Sequence, residues 1–404
     1  MKIAYNKGNE FFLLTMIISV IYLSGLDIVG LELGNITIKP QLLLFPLFLC
    51  LFLIKKSFSI GKEGIAVSLL FMFFLVPSVF SSLNPFISSA FLFGAFSCVC
   101  AMLFCAGIVR TFKVSDLLCY LMIAYRLSIV ITLFLVVFGF QIRGHFIFYE
   151  ASYWAIFLIP YAAVFFFRLL SGKHEKIAID AFLLFVSILL SQSASFVIWC
   201  FFIVFFLMLF MGKLKFRHVF ISIAVVVIVA VLLVNFNQRA SYVYSEALKI
   251  NNVEGVFNVL IFLAGNRIQR ILVPYYIGME SPFFGVGAGM LRTIAPTLDP
   301  NDFKIYGMSA YDFELDSSAP GVNIIIEVFS EYGSFGVIGF LVLLFYVYKS
   351  SKRCVDLLPL RVSLIVTLIA LMIESNFMRY YLWVLMGFIL GLYRSPSVNR
   401  MLMK

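Results

Sequence analysis

The sequence predicts an all-α polytopic membrane protein with about twelve transmembrane helices and one large extracytoplasmic loop that contains short helices. Composition indicates this class, because hydrophobic residues make up 63% of the 404 positions and charged residues only 12%. The 48 phenylalanines agree with it, since phenylalanine inserts favourably into lipid. The hydrophobic residues are also gathered in runs, and about 20 apolar residues in a helix cross a hydrocarbon core of about 30 Å.

We interpret these runs as helices because every backbone amide inside a bilayer needs an internal partner. The weak ten-residue alternation that marks a membrane β-barrel is not the pattern of these runs. The predicted spans cover roughly residues 11–30, 40–54, 64–83, 86–109, 117–140, 152–171, 177–191, 195–212, 219–235, 323–348, 360–376 and 378–393.

The net charge of +10 reflects topology, and we expect no nucleic-acid partner. Of the 30 lysines and arginines, 20 fall in alternating connections that begin with the N-terminus, and the positive-inside rule makes that side cytoplasmic. Both termini are then cytoplasmic. Residues 1–235 hold spans 1–9, residues 236–322 form the extracytoplasmic loop, and residues 323–404 hold spans 10–12 and the C-terminus.

The seven cysteines lie in predicted spans or on the cytoplasmic side, so they predict no disulfide framework. The sequence contains no CxxC motif and no His/Cys set with the spacing of metal ligands. It also lacks a phosphate-binding P-loop. We therefore expect neither a metal nor a cofactor.

The long outer loop is the first candidate for a site, since long ordered loops are usually functional. Apolar residues at three- to five-residue spacing predict a helix over 253–276 that lies along the membrane surface. Arg267 and Arg270 would share one face of it. Two adjacent guanidiniums suit a phosphate, although they could equally reach lipid headgroups or pair with Glu254 and Glu280.

Ionisable residues inside the predicted spans are a second indication of a site. Arg126 lies about nine residues from the cytoplasmic end of its helix, where insertion costs about 2.5–3.5 kcal/mol, so we expect it to face a polar cavity. Glu327 and Glu331 are four residues apart at the outer end of span 10, and Asn323 extends that stripe.

Three more ionisable residues lie at the predicted outer ends of spans. Glu374 and Arg379 flank the turn between the last two spans, and Glu150 opens span 6. Each of these residues, like those inside the spans, is also consistent with a structural ion pair. The obvious pair is Arg126 with one of the glutamates. Their common location at the outer leaflet nevertheless indicates a site there.

Four segments in the expected order resemble the bacterial O-antigen polymerases and ligases of the Wzy-type superfamily. "GNRIQRILVPYYIGMESPFFGVGAGM" is similar to their arginine-containing P-x-x-G-x-G segment, and "FYEASYWA" to their Glu-Pro-Ser-type motif. "LLSQSAS" resembles their serine-rich turn, and "VNIIIEVFSEYGSFGVIGF" the start of the helix after the outer loop. The resemblance covers roughly residues 130–393.

Two positions depart from the family pattern. The ligases carry a histidine immediately before the asparagine of the last motif, and this chain has Val322 there. The residue that the family's ligases use to assist the acceptor is therefore missing, whereas the polymerase branch tolerates its absence. The proline of the Glu-Pro-Ser motif is replaced by Ala151, a minor change.

The resemblance implies a polymerase that joins lipid-linked oligosaccharide repeats on the extracytoplasmic side of the bacterial inner (plasma) membrane. It implies undecaprenyl-pyrophosphate-linked oligosaccharides as donor and acceptor, contact with membrane lipids, and a chain-length regulator as a possible partner. A flippase or other transporter of the same lipid-linked glycan, or an O-antigen ligase, are the alternatives. A transporter would favour short loops, internal pseudo-symmetry and buried charge along the whole path.

Residue roles follow from the chemistry that the resemblance implies. Because the leaving group is a pyrophosphate, cations are needed more than a proton donor, and Arg267 is the first candidate. Glu150 and Glu327 are candidates to remove the acceptor proton. The residues expected to bind pyrophosphate or substrate, or in two cases to lock helices, are Arg270, Arg292, Asn323, Arg126 and Arg379.

Overall fold

A computed structural model describes residues 7–33, 36–54, 61–110, 112–172, 177–213, 267, 269–298, 322–352, 354–374 and 377–393. The regular structure in these residues is helical except for one small hairpin. Strands β1 (Leu31–Leu33) and β2 (Ile36–Ile38) pair antiparallel, with Leu31 opposite Ile38. The hairpin follows the first helix, and the all-α prediction did not include it.

The chain up to residue 213 forms ten helices within the described residues. They are α1 (Lys7–Gly25), α2 (Pro40–Ile54), α3 (Lys62–Leu75), α4 (Pro77–Phe80), α5 (Pro85–Val109), α6 (Val114–Val137), α7 (Ala151–Phe157), α8 (Ile159–Leu170), α9 (Ile177–Ser191) and α10 (Ala194–Phe210). The start of α5 illustrates how the sequence sets a helix boundary. The Asn84 side chain caps the helix by accepting a hydrogen bond from the amide of Ile87, and Pro85 occupies the first helical position, where the amide has no partner within the helix.

The chain from residue 267 onward forms five more helices in the described part. They are α11 (Gln269–Glu280), α12 (Leu291–Ile294), α13 (Ile324–Ser351), α14 (Leu358–Glu374) and α15 (Tyr380–Tyr393). Two 3₁₀ turns, Ala295–Thr297 and Val355–Leu357, adjoin them. The middle of the long loop and the predicted span over 219–235 lie outside the described residues.

The apolar helices are those of a multi-pass membrane protein, but the prediction of about twelve spans is wrong in number for the described residues. Five stretches are long and apolar enough to cross a bilayer: Lys62–Phe80, Pro85–Val109, Val114–Val137, Ile324–Ser351 and Val355–Glu374. A sixth is the pair α7–α8, which bends by 44°. Five other predicted spans form helices whose apolar part is only 10–17 residues long, shorter than the length that a bilayer core typically needs.

The centre of the bundle is formed by α5 and α15, which pack closely. A Cβ atom at Gly387 would lie 2.4 Å from the carbonyl oxygen of Met102, so only glycine permits this approach. Around this contact the largest buried side chains interlock, and the rings of Phe71 and Trp383 lie 5.6 Å apart. The core therefore joins an early helix of the chain to the last one.

One end of the bundle collects the helix ends that the charge pattern assigns to the outside. We call this end the outer face, and define it by the helix ends at Gly25, Pro40, Pro85, Ala151, Ser191, Ala194, Ile324, Glu374 and Tyr380. Hydrogen bonds connect these ends. The Gln41 side chain donates to the carbonyl of Leu26 at 2.5 Å, and the amide of Gly144 donates to the carbonyl of Leu190 at 2.8 Å.

Helix α11 differs from its prediction in extent and setting. It begins at Gln269, and of the earlier predicted residues 253–268 only Arg267 lies within the described part. It runs beside the first half of α13 in the same direction. The amide of Val322 donates to the carbonyl of Arg270, and the rings of Tyr275 and Phe329 stack with centroids 6.1 Å apart.

Candidate functional site

The outer face is built around a break in α13. Gly333 has φ 66° and ψ −170°, a conformation that is essentially restricted to glycine and interrupts the helix. The break releases backbone groups on both sides of it. The carbonyl of Ser330 and the amide of Ser334 are two of the groups that must find partners outside the helix.

The segment 282–287 supplies those partners. The amide of Val286 donates to the carbonyl of Ser330 at 2.9 Å, and the amide of Ser334 donates to the carbonyl of Pro282 at 2.8 Å. The approach is so close that a Cβ atom at Gly285 would lie 2.4 Å from the backbone of Glu331. The glycine-rich part of the outer loop is therefore joined to the broken helix by its own backbone.

Residues 285–288 are also joined to the end of α4 and the first turn of α5. The Ser81 hydroxyl donates to the carbonyl of Gly285 at 2.7 Å, and the Ser88 hydroxyl to that of Ala288 at 3.0 Å. Arg292, one turn further on, lies with its guanidinium carbon 6.0 Å from the centre of the Phe91 ring. These contacts hold Arg292 over the outer end of the bundle.

Glu327 and Glu331 are both buried in the first half of α13, as the stripe of polar residues indicated. The amide of Phe377 donates to Glu327 Oε2 at 3.3 Å, and the amide of Gly289 donates to the Glu331 carboxylate. Glu331 Oε2 has no hydrogen-bond partner within the described part of the chain. Both carboxylates lie within electrostatic range of Arg292.

A second charged cluster lies where α1, α2 and α15 meet. The two oxygens of Asp27 accept from Lys39 Nζ and from Arg379 Nη1, each at 2.5 Å. The Arg379 guanidinium stacks on Tyr153, with its carbon 3.9 Å from the ring centre. Burial lowers the pKa of Lys39 because an ammonium group is poorly solvated there, and Asp27 opposes this effect.

Arg379 is therefore already paired with Asp27 within the protein. Its side chain is 12% exposed, and its charge also acts on Glu327, which links this cluster to α13. Sequence reasoning missed Asp27 and Lys39. The available signal was an aspartate near the outer end of the first predicted span, 11–30, with a lysine immediately before the second.

Arg267 lies next to a third group of polar side chains. It is half-buried in a 3₁₀ turn two residues before α11, so the predicted common helical face with Arg270 stays a prediction. Its charge acts on Glu374, the last residue of α14. Ser195 and Glu150 act on the same carboxylate, so the arginine-containing, serine-rich and Glu-Pro-Ser-type segments converge on Glu374.

The turn between α9 and α10, just before Ser195, is itself held in an uncommon conformation. Gln192 has φ 48°, in the left-handed region that non-glycine residues rarely occupy. Arg143 Nη2 donates to the carbonyls of Ser191 and Gln192, at 2.9 and 3.2 Å, and so stabilises the turn. Strained backbone that is held by several contacts is often found at functional sites.

Asn323 acts in the structure as the cap of α13. Its side-chain oxygen accepts from the amides of Ile325 and Ile326, both at 3.0 Å, and its amide nitrogen donates to the carbonyl of Met372 at 2.9 Å. These bonds occupy both ends of the side chain. Helix capping therefore explains an asparagine at position 323 without any bound substrate, and its predicted role in substrate binding stays a prediction.

Arg126 has a partner that sequence reasoning did not identify. Its Nε and Nη2 atoms donate to the two oxygens of Asp180 at 2.7 and 2.8 Å, and Tyr161 donates to the same aspartate at 3.0 Å. We expected a glutamate as the counter-ion. A single aspartate in the apolar run of α9 was the signal that would have identified the pair.

The remaining predicted residues are found at the edge of this face. Arg270 is half-buried in the first turn of α11, and Glu150 is exposed at the start of α7, where it accepts from the Ser152 hydroxyl at 3.1 Å. Together the outer face interleaves arginines with buried carboxylates. Such a surface can bind a phosphate-bearing ligand and accept hydrogen bonds from its hydroxyls.

Comparisons with known proteins add no further identification. No protein-family model matches the chain. No curated protein matches it in sequence either.

Proposed function

We propose that the protein is a membrane glycosyltransferase that polymerises lipid-linked oligosaccharide repeats. It transfers a growing glycan from undecaprenyl pyrophosphate to the sugar of another lipid-linked repeat on the extracytoplasmic side of the bacterial inner membrane. The observation that carries this proposal is that Arg267, Arg292 and Arg379 lie among buried carboxylates at one end of a bundle of apolar helices.

The proposed chemistry needs two kinds of group in that arrangement. As the glycosidic bond to pyrophosphate breaks, negative charge grows on the leaving oxygen, and a fixed cation in a water-poor site stabilises it. Arg267 supplies this cation, with Arg270 and Arg292 in support. The attacking sugar hydroxyl needs an acceptor for its proton, and the carboxylates of the outer face are the acceptors within reach.

The transporter alternative is disfavoured because the charged side chains inside the bundle pair with each other. A pathway through the membrane needs polar groups that are free to meet the cargo. In the described helices, Arg126 and Asp180 are instead joined to each other by two hydrogen bonds. The break in α13 is likewise closed by segment 282–287.

The ligase alternative lacks a residue for its acceptor step. Val322, at the position where the family's ligases have histidine, is buried and apolar. Its amide donates to the carbonyl of Arg270, so this position joins α11 to α13. No proton-transferring group replaces the histidine at Val322 itself.

The test is the glycan profile of an Arg267→Ala strain. We expect long-chain polysaccharide to fall by about 100- to 1,000-fold, the usual effect of removing one transition-state donor, while single-repeat glycan still reaches the surface. Arg168→Ala, at the cytoplasmic end of α8, is the matched control and should leave chain length unchanged. Normal chain length in a well-expressed Arg267→Ala strain would overturn the proposal.

A deletion strain separates the three activities. Capped single repeats on the surface indicate a polymerase. Repeats trapped inside the cell indicate a flippase, and long lipid-linked chains that are never transferred indicate a ligase.

A further inference from the structure

Glu374 is a buried carboxylate to which the described residues donate no well-formed hydrogen bond. It ends α14 at the outer face with 4% of its surface exposed. Neither Oε1 nor Oε2 accepts a well-formed hydrogen bond from any group in the described part of the chain. Buried carboxylates are normally paired or hydrogen-bonded, so an unpartnered one needs an explanation.

A second unpartnered group lies nearby. The hydroxyl of Tyr381 is buried and also lacks a hydrogen-bond partner among the described residues, and it lies within electrostatic range of Glu374. The Ser195 hydroxyl completes the set on the other side, where it shares a 2.8 Å hydrogen bond with Ser193. The hydroxyls of Tyr381 and Ser195 therefore lie near Glu374, whose two oxygens accept no well-formed hydrogen bond from the described residues.

The neighbouring carboxylates differ from Glu374 in this respect. Glu327 accepts from the amide of Phe377, and Glu150 is exposed and accepts from the Ser152 hydroxyl. Arg267 also acts on Glu374, so the free carboxylate lies near the cation expected at the leaving pyrophosphate. A proton acceptor must come within hydrogen-bond reach of the group it deprotonates, and Glu374 has both oxygens available for that contact.

We infer that Glu374 is the catalytic carboxylate that binds the acceptor sugar hydroxyl and takes its proton, with Tyr381 and Ser195 positioning the sugar. This inference rests on the proposed function. The acceptor oxygen forms a bond to the anomeric carbon while its O–H proton passes to Glu374. The anomeric carbon–oxygen bond to pyrophosphate breaks, and its electron pair stays on the pyrophosphate beside Arg267. The proton then passes to the released pyrophosphate, which restores the carboxylate.

The test measures polymerisation in membranes that contain the full-length protein. The probe is the lipid-linked repeat extracted from a strain that lacks this protein. Glu374→Gln retains the shape of the side chain but removes the proton acceptor, so we expect the rate to fall by about 100-fold or more. The residual rate should also lose the acidic limb of the pH profile, which loss of packing alone would not remove. Glu63→Gln, on α3, is the control and should leave rate and profile unchanged.

Tyr381→Phe keeps the proposal testable if Glu374→Gln fails to accumulate in membranes. It removes a hydroxyl that has no hydrogen-bond partner among the described residues, so the fold should tolerate it. We expect an increase of several-fold in KM for the lipid-linked repeat at normal abundance. A wild-type KM in this variant, or a wild-type rate in folded Glu374→Gln, overturns the inference.

Failure of the inference is distinct from failure of the proposed function. If the deletion strain lacks long chains and expression of the Glu374→Gln variant in that strain restores them fully, the polymerase proposal stands and Glu374 is not the proton acceptor. If the deletion strain still makes long chains, the proposed function is wrong.

Discussion

Arg379 donates to Asp27 at 2.5 Å across 352 positions of the chain, which joins the start of the last helix to the residues that follow the first. Lys39 shares the same carboxylate, so one acid neutralises two cations. Asp27 is 10% exposed, and this depth makes the pairing sensitive to the loss of any member. The contact fixes the outer face by connecting elements that no local interaction relates.

Asp27→Ala should lower the free energy of unfolding by about 3–5 kcal/mol, because it leaves two poorly solvated cations without a counter-ion. Asp356→Ala removes an aspartate of a 3₁₀ turn on the predicted cytoplasmic side and should have little effect. Thermal unfolding of the purified proteins in detergent compares the two. Equal stability of both variants would mean that the Asp27 cluster contributes nothing to the fold.

The pair between Arg126 and Asp180 should behave as a structural unit. Removing either partner leaves a buried charge unpaired and should cost about 3–5 kcal/mol, whereas Arg126→Met combined with Asp180→Leu should recover most of that loss. Unfolding of the two single variants and the double variant forms a double-mutant cycle. Additive losses would show that the two side chains do not interact.

Gly333→Ala should lower the free energy of unfolding by more than the cost of placing alanine in the left-handed conformation of residue 333. An added Cβ would lie 2.2 Å from the carbonyl oxygen of Phe283, so segment 282–287 would have to leave the broken helix. Gly172, with φ 72° and nothing within 4 Å of an added Cβ, is the matched control. Gly172→Ala should cost only about 1–2 kcal/mol for the left-handed conformation.

The two Gly→Ala variants are compared by thermal unfolding and by chymotrypsin cleavage after Phe283 and Phe284. We expect faster cleavage in Gly333→Ala alone. Indistinguishable behaviour of the two variants would argue against a backbone contact between the outer loop and α13.

Asn323→Ala separates a helix cap from a substrate-binding residue. If the side chain only caps α13, its loss should cost about 1–2 kcal/mol and leave polymer formed per molecule of protein unchanged. Asn84→Ala removes a comparable cap from α5 and should behave in the same way. Polymer lost in folded Asn323→Ala but retained in Asn84→Ala would instead indicate that Asn323 binds substrate.

Much of the fold was predictable because membrane insertion imposes strong local rules. Long apolar runs predicted α5, α6 and α13 close to their observed limits, since each must satisfy its own backbone in lipid. The number of spans was not predictable in the same way. The run over 40–54 was predicted with the limits that α2, Pro40–Ile54, has, but 15 residues are fewer than the ~17 that a span needs, so hydropathy located the helix and not whether it crosses the bilayer.

The candidate site was predictable only as a set of residue types. Glu327 and Glu331 were recognisable because a carboxylate in an apolar run is expensive unless it serves a purpose. Their partners were not, because the amides that reach them come from Phe377 and Gly289 on other elements. Asp180 carried the same signal as Arg126 and was overlooked.

The sequence by itself determined that this chain has the apolar helices of a membrane protein, roughly where the long ones begin, and which end of them carries the polar groups. These properties depend on local hydropathy and charge, which each segment expresses independently of the others. Only the tertiary structure decided which charges pair, that segment 282–287 closes the break at Gly333, and that no described residue donates a well-formed hydrogen bond to Glu374. Pairing depends on distances between residues far apart in the chain, and these distances are set by packing of the whole bundle.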